Sequence, residues 1–527
     1  MKKLGLYFDT IKYLKCKQLV YQTLYRVLKV KPLASYVTPE RSINTRLLAF
    51  SDYLPTLCCA DTKNRFSFLN RQVTFAAGVD WAYAANGKLW NYNLQYGYYL
   101  LQEDIHMDIR LEWLKALHQS LYTGTVALEP YPVSVRAMNS IRFICRHTLT
   151  DTALLSAVHG ELNFLSGRVE YHLLANHVLE NAFALLMGGA FFQQPEWHNM
   201  GREILLRELE EQVLGDGAHY ELSPMYHQII LYRVLELIDW YQNYENPDNL
   251  LLERVCSKAS LMLSWLRNMS FSNNDIPHVN DSAPSIAYDT ASLLNYAASL
   301  QLEPMASVQL ADSGYRKFDS GSYECVVDAA AIGPSYQAGH GHADALSFIL
   351  YYKGSPVLVE AGTSTYEPGP RREYERSTGA HNTIEIQGAN QSKVWGSFRV
   401  GYRANTTVVR EEAGLLIAEH DGYVNRFGIT HRRTFEFEAS QITITDELLG
   451  EESMAGIAYF HLHPSVQYSL HHHMVSIPNI CTVVFSDAVE YVEAGTYQFA
   501  EGFNSCCPSG VIKVAFKGKI ITRIKFI

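Results

Sequence analysis

The residues best suited to chemistry concentrate in Gly339-His340-Gly341-His342-Ala343-Asp344, where two imidazoles lie two residues apart just ahead of a carboxylate. The run that follows, through Phe348 to Tyr352, is apolar and aromatic enough for a buried strand. On a strand, positions i and i+2 face the same side, so His340 and His342 would project together. The glycines beside them remove side-chain bulk and let another group approach the backbone. Such a pair can share a metal ion, divide into one ligand and one acid/base, or hydrogen-bond to each other at a strand edge. Downstream, Val357-Leu358-Val359-Glu360-Ala361-Gly362 reads as a second strand carrying a carboxylate among apolar neighbours, where a charge needs a partner. His342, Glu360 and His381 together would supply a zinc-type donor set and leave His340 free. Arg371, Arg372 and Arg376, just before His381, suit recognition of carboxylate or sulfate groups.

Two earlier clusters carry further candidates. In Ala175-Asn176-His177-Val178-Leu179-Glu180, His177 and Glu180 are three residues apart and share one helix face. They can serve a substrate or form a structural pair inside a helical bundle. In the stretch from Asp216 to His227, Ser223-Pro224 makes an N-cap and a first-turn proline, which places Tyr226 in the opening turn of a helix. The positive end of the helix dipole favours phenolate there, and a nearby cation could bring its pKa down toward working pH. A core tyrosine bonded to a carbonyl is the plainer reading.

The elements that must hold these residues change character along the chain. At 527 residues the chain is too long for one compact core and suits two or three domains. Residues 1–70 read as a basic amphipathic helix, Ile11 to Val30, followed by an irregular segment. Packing against the domain behind it is the expected role of that helix, and contact with a membrane surface the other. The aromatic stretch from Phe75 to Leu101, with Trp90, Tyr92 and Tyr96, suits either a cleft wall that stacks on sugars or a buried helix entry. Helical periodicity then dominates to about residue 300, as hairpins stacked into an array or closed toroid. Beyond Tyr315, alternating β-branched residues with turn punctuation predict an antiparallel sandwich. The expected class is therefore α+β and multidomain: an extension over 1–70, an array or closed toroid of helical hairpins over 71–310 and an antiparallel β-sandwich over 311–527.

Composition excludes some functions. A net charge of −10 argues against nucleic-acid binding, although a local basic cleft could still take an anionic substrate. No run of eighteen apolar residues occurs, so no transmembrane segment is expected. The nine cysteines follow no disulfide framework and read as reduced thiols. Asp9, Lys12, Lys15 and Lys17 interrupt any apolar core of a signal peptide, which points to a cytoplasmic setting.

Several long segments, in order, resemble one family. Gly339 to Phe348, Tyr366-Glu367-Pro368-Gly369, Arg376-Ser377-Thr378-Gly379-Ala380-His381-Asn382-Thr383 and Val394-Trp395-Gly396-Ser397-Phe398 are similar to the heparinase II/III family. So are Ala175-Asn176-His177, Gly217 to His227 and Tyr459 to Pro464 upstream and downstream of them. The resemblance spans roughly residues 75 to 465. It implies a polysaccharide lyase built as an (α/α) toroid followed by an antiparallel β-sandwich, acting on an anionic, uronic-acid glycan. By resemblance, Asn176, with His177 sharing the task, would neutralise the uronate carboxylate. Tyr226 would be the catalytic acid/base and His340 the other base. His342, Glu360 and His381 would hold a structural zinc, with Glu360 standing where the family pattern has aspartate. Glu180, Tyr92, His227, Arg372, Arg376 and Trp395 are the expected substrate contacts. β-Elimination fits these residue types: it removes the C5 proton and expels the 4-O oxygen, and needs no pair of carboxylates to activate water. The resemblance also implies a periplasmic setting, against the cytoplasmic one read from the leader.

Two other functions remain open on the residues. A metal-dependent hydrolase could use paired histidines, but such barrels need alternating β/α units that this chain lacks. A non-catalytic glycan-binding protein of surface-polysaccharide assembly would keep the groove without the turnover.

Overall fold

The computed structural model describes residues 2–34, 43, 54–55, 57–245, 247–450, 454–486 and 489–527. Of the irregular segment expected after Val30, residues 35–42, 44–53 and 56 lie outside the described residues, and its last part is not irregular but strand, at Ala60–Asp61 and Arg65–Phe68. The single helix expected from Ile11 to Val30 is two, Lys2–Ile11 and Cys16–Val27. The second restarts at Lys15, whose backbone N–H donates to Gln18 Oε1 at 2.9 Å. A small three-stranded sheet, Ala60–Asp61, Arg65–Phe68 and Arg71–Thr74, leads into the helical part.

From Lys88–Gln95 to Thr290–Ser299 the chain is a succession of helices forming the (α/α) toroid. Their starts follow capping chemistry: Asp151, Asp248, Asp289 and Ser223 each accept a first-turn backbone N–H. Ala175–Phe191 is apolar on nearly every side and almost wholly buried, so it runs through the middle of the helical layer. A single apolar core, including Trp90, Leu114, Ile141, Leu185 and Leu235, joins the hairpins.

The strands begin at Tyr315. An eight-stranded antiparallel sheet forms one layer of the sandwich, with Ile429–Glu438, Gln441–Leu449 and Lys519–Phe526 at its centre. Two four-stranded sheets form the other and are stitched together where Leu358 bridges Leu462. Strict alternation, as in Leu415–Tyr423, turns one face of each strand inward. Leu350, Phe435, Ile444, Phe460 and Phe516 fill the space between the layers.

The two halves also meet tip to tip. The Leu69-Asn70 turn of the small sheet faces the Phe503-Asn504 turn of the long hairpin Val489–Gly502/Ser505–Lys517. Asn70 Nδ2 donates to the Phe503 carbonyl at 3.0 Å, and Asn504 Nδ2 donates to the Leu69 carbonyl at 2.9 Å. None of the nine cysteines is in a disulfide. Among the described residues no helix is long and apolar enough to cross a membrane.

Candidate active site

A cavity of about 760 Å³ lies between the toroid and the sandwich. Of the segments that line it, three carry the candidate catalytic side chains. The buried helix begins at Ala175 and brings in Asn176, His177 and Glu180. The helix Pro224–Tyr241 presents Tyr226, and the loop ahead of strand Phe348–Tyr352 presents His340. Each entry is backbone-strained. Leu174, Ala175 and Leu222 are left-handed without being glycine, as is Asn280, which precedes a further site residue. Such residues cost on the order of 1–3 kcal/mol each and persist only where the surroundings enforce them.

His340 and His342 do not share a strand. The strand starts at Phe348, and the histidines occupy an irregular loop ahead of it. That loop is pinned because a Cβ on Gly341 would run into the Ile332 carbonyl. Both imidazoles instead converge on Asp281, a residue absent from the sequence-derived set. His340 Nδ1 and His342 Nε2 each lie 2.9 Å from its carboxylate, and Arg372 donates to it from two nitrogens. Burial alone would raise the Asp281 pKa, but Arg372 and the two histidines hold it well below the usual carboxylate range. The neighbourhood of Asp281, Ser272 to Ser285, is largely polar, so nothing in the local sequence singles it out.

Tyr226 lies against His340, with ring centroids 4.0 Å apart, and its hydroxyl is 3.4 Å from that of Tyr366. The expected drop in its pKa is reversed. Burial first, then Tyr366 and the carboxylates of Asp281 and Glu221, push the phenol well above its ordinary value, outweighing the helix dipole. Glu221, also absent from the sequence-derived set, is buried with an oxygen 3.8 Å from His340 Nε2. It accepts both amide contacts of Asn176, at 2.9 and 3.1 Å, so that side chain is spent on a carboxylate within the protein. His177 is placed differently. Its Nδ1 is 3.1 Å from Glu170 while its ring faces the cavity beside Tyr131. Burial opposes its charge, yet Glu170, Glu221 and Glu180 raise its pKa above that of free imidazole.

Of the expected substrate contacts, Tyr92 and Glu180 line the cavity. Tyr92 is hydrogen-bonded to Glu129, and Glu180 pairs with Arg233 at 2.6 Å. The other four do not line it. His227 is fully buried between the His219 N–H and the Met262 carbonyl. Arg372 is spent on Asp281 and the Ser397 carbonyl. Arg376 donates to the carbonyls of Gly341, Gly396 and Arg399, which fixes the histidine loop from behind. Trp395 packs edge-on against Tyr7 of the first helix and donates to Thr10. Tyr366 and Phe398, which line the cavity, sit over the Arg372 guanidinium.

The metal-type cluster also differs from the expected set. His342, Asp344 and His381 each offer a ligand atom, all within 4.8 Å of one another. His342 Nδ1, Asp344 Oδ2 and His381 Nε2 are buried without a hydrogen-bond partner, as donor atoms awaiting an ion would be. Glu360 stands behind. Its two oxygens are taken by the Ser347 hydroxyl at 2.6 Å and by His381 Nδ1 at 2.7 Å, which makes it an orienting group for His381. Burial pushes His342 down to about 3, keeping its imidazole neutral as ligation requires. Asp328, Asp344 and Glu360 form a buried group of carboxylates, in which burial and mutual repulsion raise the pKa of Asp328 and Asp344, while Glu360 and Asp344 raise that of His381 against its burial. These residues fit a divalent cation with mixed nitrogen and oxygen ligands.

Comparison with known proteins agrees with this architecture. Residues 135–304 match the profile of the heparinase II/III N-terminus, and residues 303–517 match the profile described as heparinase II/III-like, C-terminal. A heparin-sulfate lyase of Bacteroides stercoris is 24% identical over 316 residues, 54% of this chain and 45% of that one. FtsZ-localized protein C of Caulobacter vibrioides is 24% identical over 364 residues, 62% of this chain and 60% of that one. The chain thus spans less than half the length of that lyase. The crystal structure of heparinase III superposes with a TM-score of 0.72 at 16% identity, over 97% of this chain and 90% of that one. At that identity the likeness speaks for the fold, while the two adjoining profile matches cover most of the sequence: the chain belongs to the heparinase II/III family.

Proposed function

We propose that the protein is a polysaccharide lyase that cleaves a uronic-acid glycan by β-elimination. The observation that carries this reading is the contact between Tyr226 of the toroid and His340 of the sandwich on one cavity wall, with His177 facing the same space. His177, whose positive charge Glu170 favours against burial, pairs with the uronate carboxylate and so acidifies the C5 proton. His340, held through Nδ1 by Asp281, accepts that proton at Nε2. The C5–H electrons form the C4–C5 double bond, the C4–O4 bond breaks, and the Tyr226 phenol protonates the departing oxygen. Its raised pKa keeps that proton in place until the leaving group needs it. The proton gained by His340 then returns to Tyr226 across their contact.

His342, Asp344 and His381 would hold a zinc ion, which would lock the histidine loop and balance the buried carboxylates. The charge lining the cavity favours a glycan whose anion is the uronate alone. Among the described residues, its permanent cations are Lys88 and Arg233. Lys88 is paired with Glu129 at 2.7 Å, and Arg233 with both Glu180 and Glu236.

A second reading, glycan binding without cleavage, is favoured by the Asn176 amide being spent on Glu221. One experiment decides between them. Uronate polymers are incubated with the protein while ultraviolet absorbance of the unsaturated product is followed, for the native chain and for Tyr226→Phe. A lyase gives absorbance that Tyr226→Phe loses by about 10²–10⁴-fold while glycan binding survives. Binding with no absorbance from the native chain establishes the second reading.

A further inference from the structure

The N-terminal helices carry a feature that the site does not use. Residues 1–31 hold eight basic residues, Lys2, Lys3, Lys12, Lys15, Lys17, Arg26, Lys29 and Lys31, against one acidic residue, Asp9. That is a net +7 on a chain whose total is −10, leaving −17 on the remainder. A basic segment on an acidic protein is expected to lie down on acidic surfaces of its own fold. Part of it does, since Lys15 pairs with Glu211 and Lys17 sits over the Tyr171 ring.

The helix Cys16–Val27, however, is docked with its sides reversed. Its inward face is polar and aromatic: Gln18 Nε2 reaches the Leu173 carbonyl, Tyr21 packs on Tyr171, and the Tyr25 hydroxyl donates to the Val169 carbonyl at 2.8 Å. Its aliphatic stripe, Val20, Leu24, Val27 and Leu28 at i, i+4, i+7 and i+8, faces outward, and Val20 and Val27 are 62% and 73% exposed. On the first helix Phe8 is 71% exposed and Ile11 46%. Arg26, Lys29 and Lys31 lie at the end of the stripe, all exposed, with no ion pair to a carboxylate of the described residues. In an ordinary surface helix the aliphatic stripe is the side that docks. Here the docked side is held by hydrogen bonds and tyrosine rings, and the stripe is left for something else.

We infer that this helix pair is a membrane-contact surface that seats on an anionic lipid leaflet. An aliphatic stripe inserts at the boundary of headgroups and acyl chains, and the basic residues beside it meet the lipid phosphates. The charge asymmetry selects lipid over a second copy of the chain. Two such faces, each carrying the same positive charge, would repel on pairing, whereas an anionic leaflet complements both parts. A lyase so anchored would work next to a surface where glycans are assembled or displayed, but the inference needs no catalytic reading to stand.

The test is sedimentation of the full chain with vesicles of phosphatidylcholine alone and with vesicles in which about a third of the lipid is phosphatidylglycerol. Binding to the anionic vesicles, little to the neutral ones, and loss at high salt are expected. Val20→Asp with Leu24→Asp should abolish it. Arg26→Gln with Lys29→Gln and Lys31→Gln should weaken it on the order of a hundredfold. All five positions are exposed, so thermal unfolding of both variants should match that of the native chain. No sedimentation with either vesicle overturns the inference, as does equal binding to both. A salt-insensitive dimer in solution that Val20→Asp dissolves would assign the stripe to self-association and overturn it too.

Discussion

Asp281 is the residue on which the two halves and the two histidines depend together, so its replacement by asparagine is the most informative perturbation. The side chain is fully buried and accepts from His340, His342 and two nitrogens of Arg372, which is equally buried. The asparagine side chain would be nearly isosteric but uncharged, and its amide would turn a donor toward groups that are already donors. Removing one partner of a buried ion pair costs about 3–5 kcal/mol, because the other charge stays desolvated. At about 2–4 °C per kcal/mol for a domain of this size, the melting transition should fall by about 6–20 °C. Calorimetry of Asp281→Asn measures this directly. Turnover at a temperature well below either transition should fall on the order of 10³–10⁴-fold, since His340 loses the group that fixes its tautomer and orientation. A double variant separates the two effects. Asp281→Asn with Arg372→Gln leaves no stranded cation and should recover much of the melting temperature without recovering the rate. If Asp281→Asn melts with the native protein and retains its rate, the assignment of Asp281 as the joint positioning residue is wrong.

Four other outcomes follow from the same contacts. Because the Glu170 carboxylate raises the His177 pKa, the stability of that pairing is complete below the ordinary imidazole value near 6.5 and is lost as pH rises through the folded-state value. KM for a uronate glycan should therefore rise over the same interval, whereas His177→Gln should give a higher KM without that slope. Prolonged chelation should lower the melting temperature of the sandwich, and added zinc should restore it; Asp344→Asn should blunt both changes, and Glu360→Gln should weaken metal affinity by about 10–100-fold. A glycosaminoglycan and its chemically desulfated form should differ at least tenfold in kcat/KM in favour of the desulfated one. Faster cleavage of the sulfated polymer would show that the ion-paired state of Lys88 and Arg233 does not govern selection. Asn70→Ala with Asn504→Ala deletes both tip-to-tip bonds, each worth about 1 kcal/mol, and hydrogen exchange at the two turns should quicken by about tenfold or more.

The sequence made the order of architectures legible because that order rests on periodicity. Runs such as Leu205, Leu209 and Val213 can bury only as helices, and alternation such as Ile442-Thr443-Ile444-Thr445 can bury only as strands. The cavity-facing residues Tyr226, His340, His177, Tyr92 and Glu180 were likewise named from local sequence. What local sequence could not supply was which polar group meets which. Arg372 and Arg376 look like anion binders on any linear reading. Asp281 becomes a neighbour of Arg372 only when the halves dock, and the carbonyls that Arg376 meets are brought to it by loops of the sandwich itself. The same holds for Glu360: the strand expected through Gly362 ends at Leu358, and the carboxylate just beyond it looks like a ligand until Ser347 and His381 Nδ1 are seen to occupy both oxygens.

These misplacements have one physical origin. A buried charge must be matched by another, and the match is chosen by the tertiary fold, not by spacing along the chain. In this protein the matching groups form a continuous chain of contacts. Arg376 braces the loop at Gly341, Arg372 holds Asp281, Asp281 holds His340 and His342, and Glu360 holds His381. On the proposed reading the groups that act on a substrate are correspondingly few: Tyr226, His340 and His177, set among tyrosines. The arginines that seemed made for a sulfated polymer are thus used to build the walls of the site, and each is held away from the cavity by its own partners. That division of labour explains why anion-binding residue types in the sequence do not translate into a cationic groove.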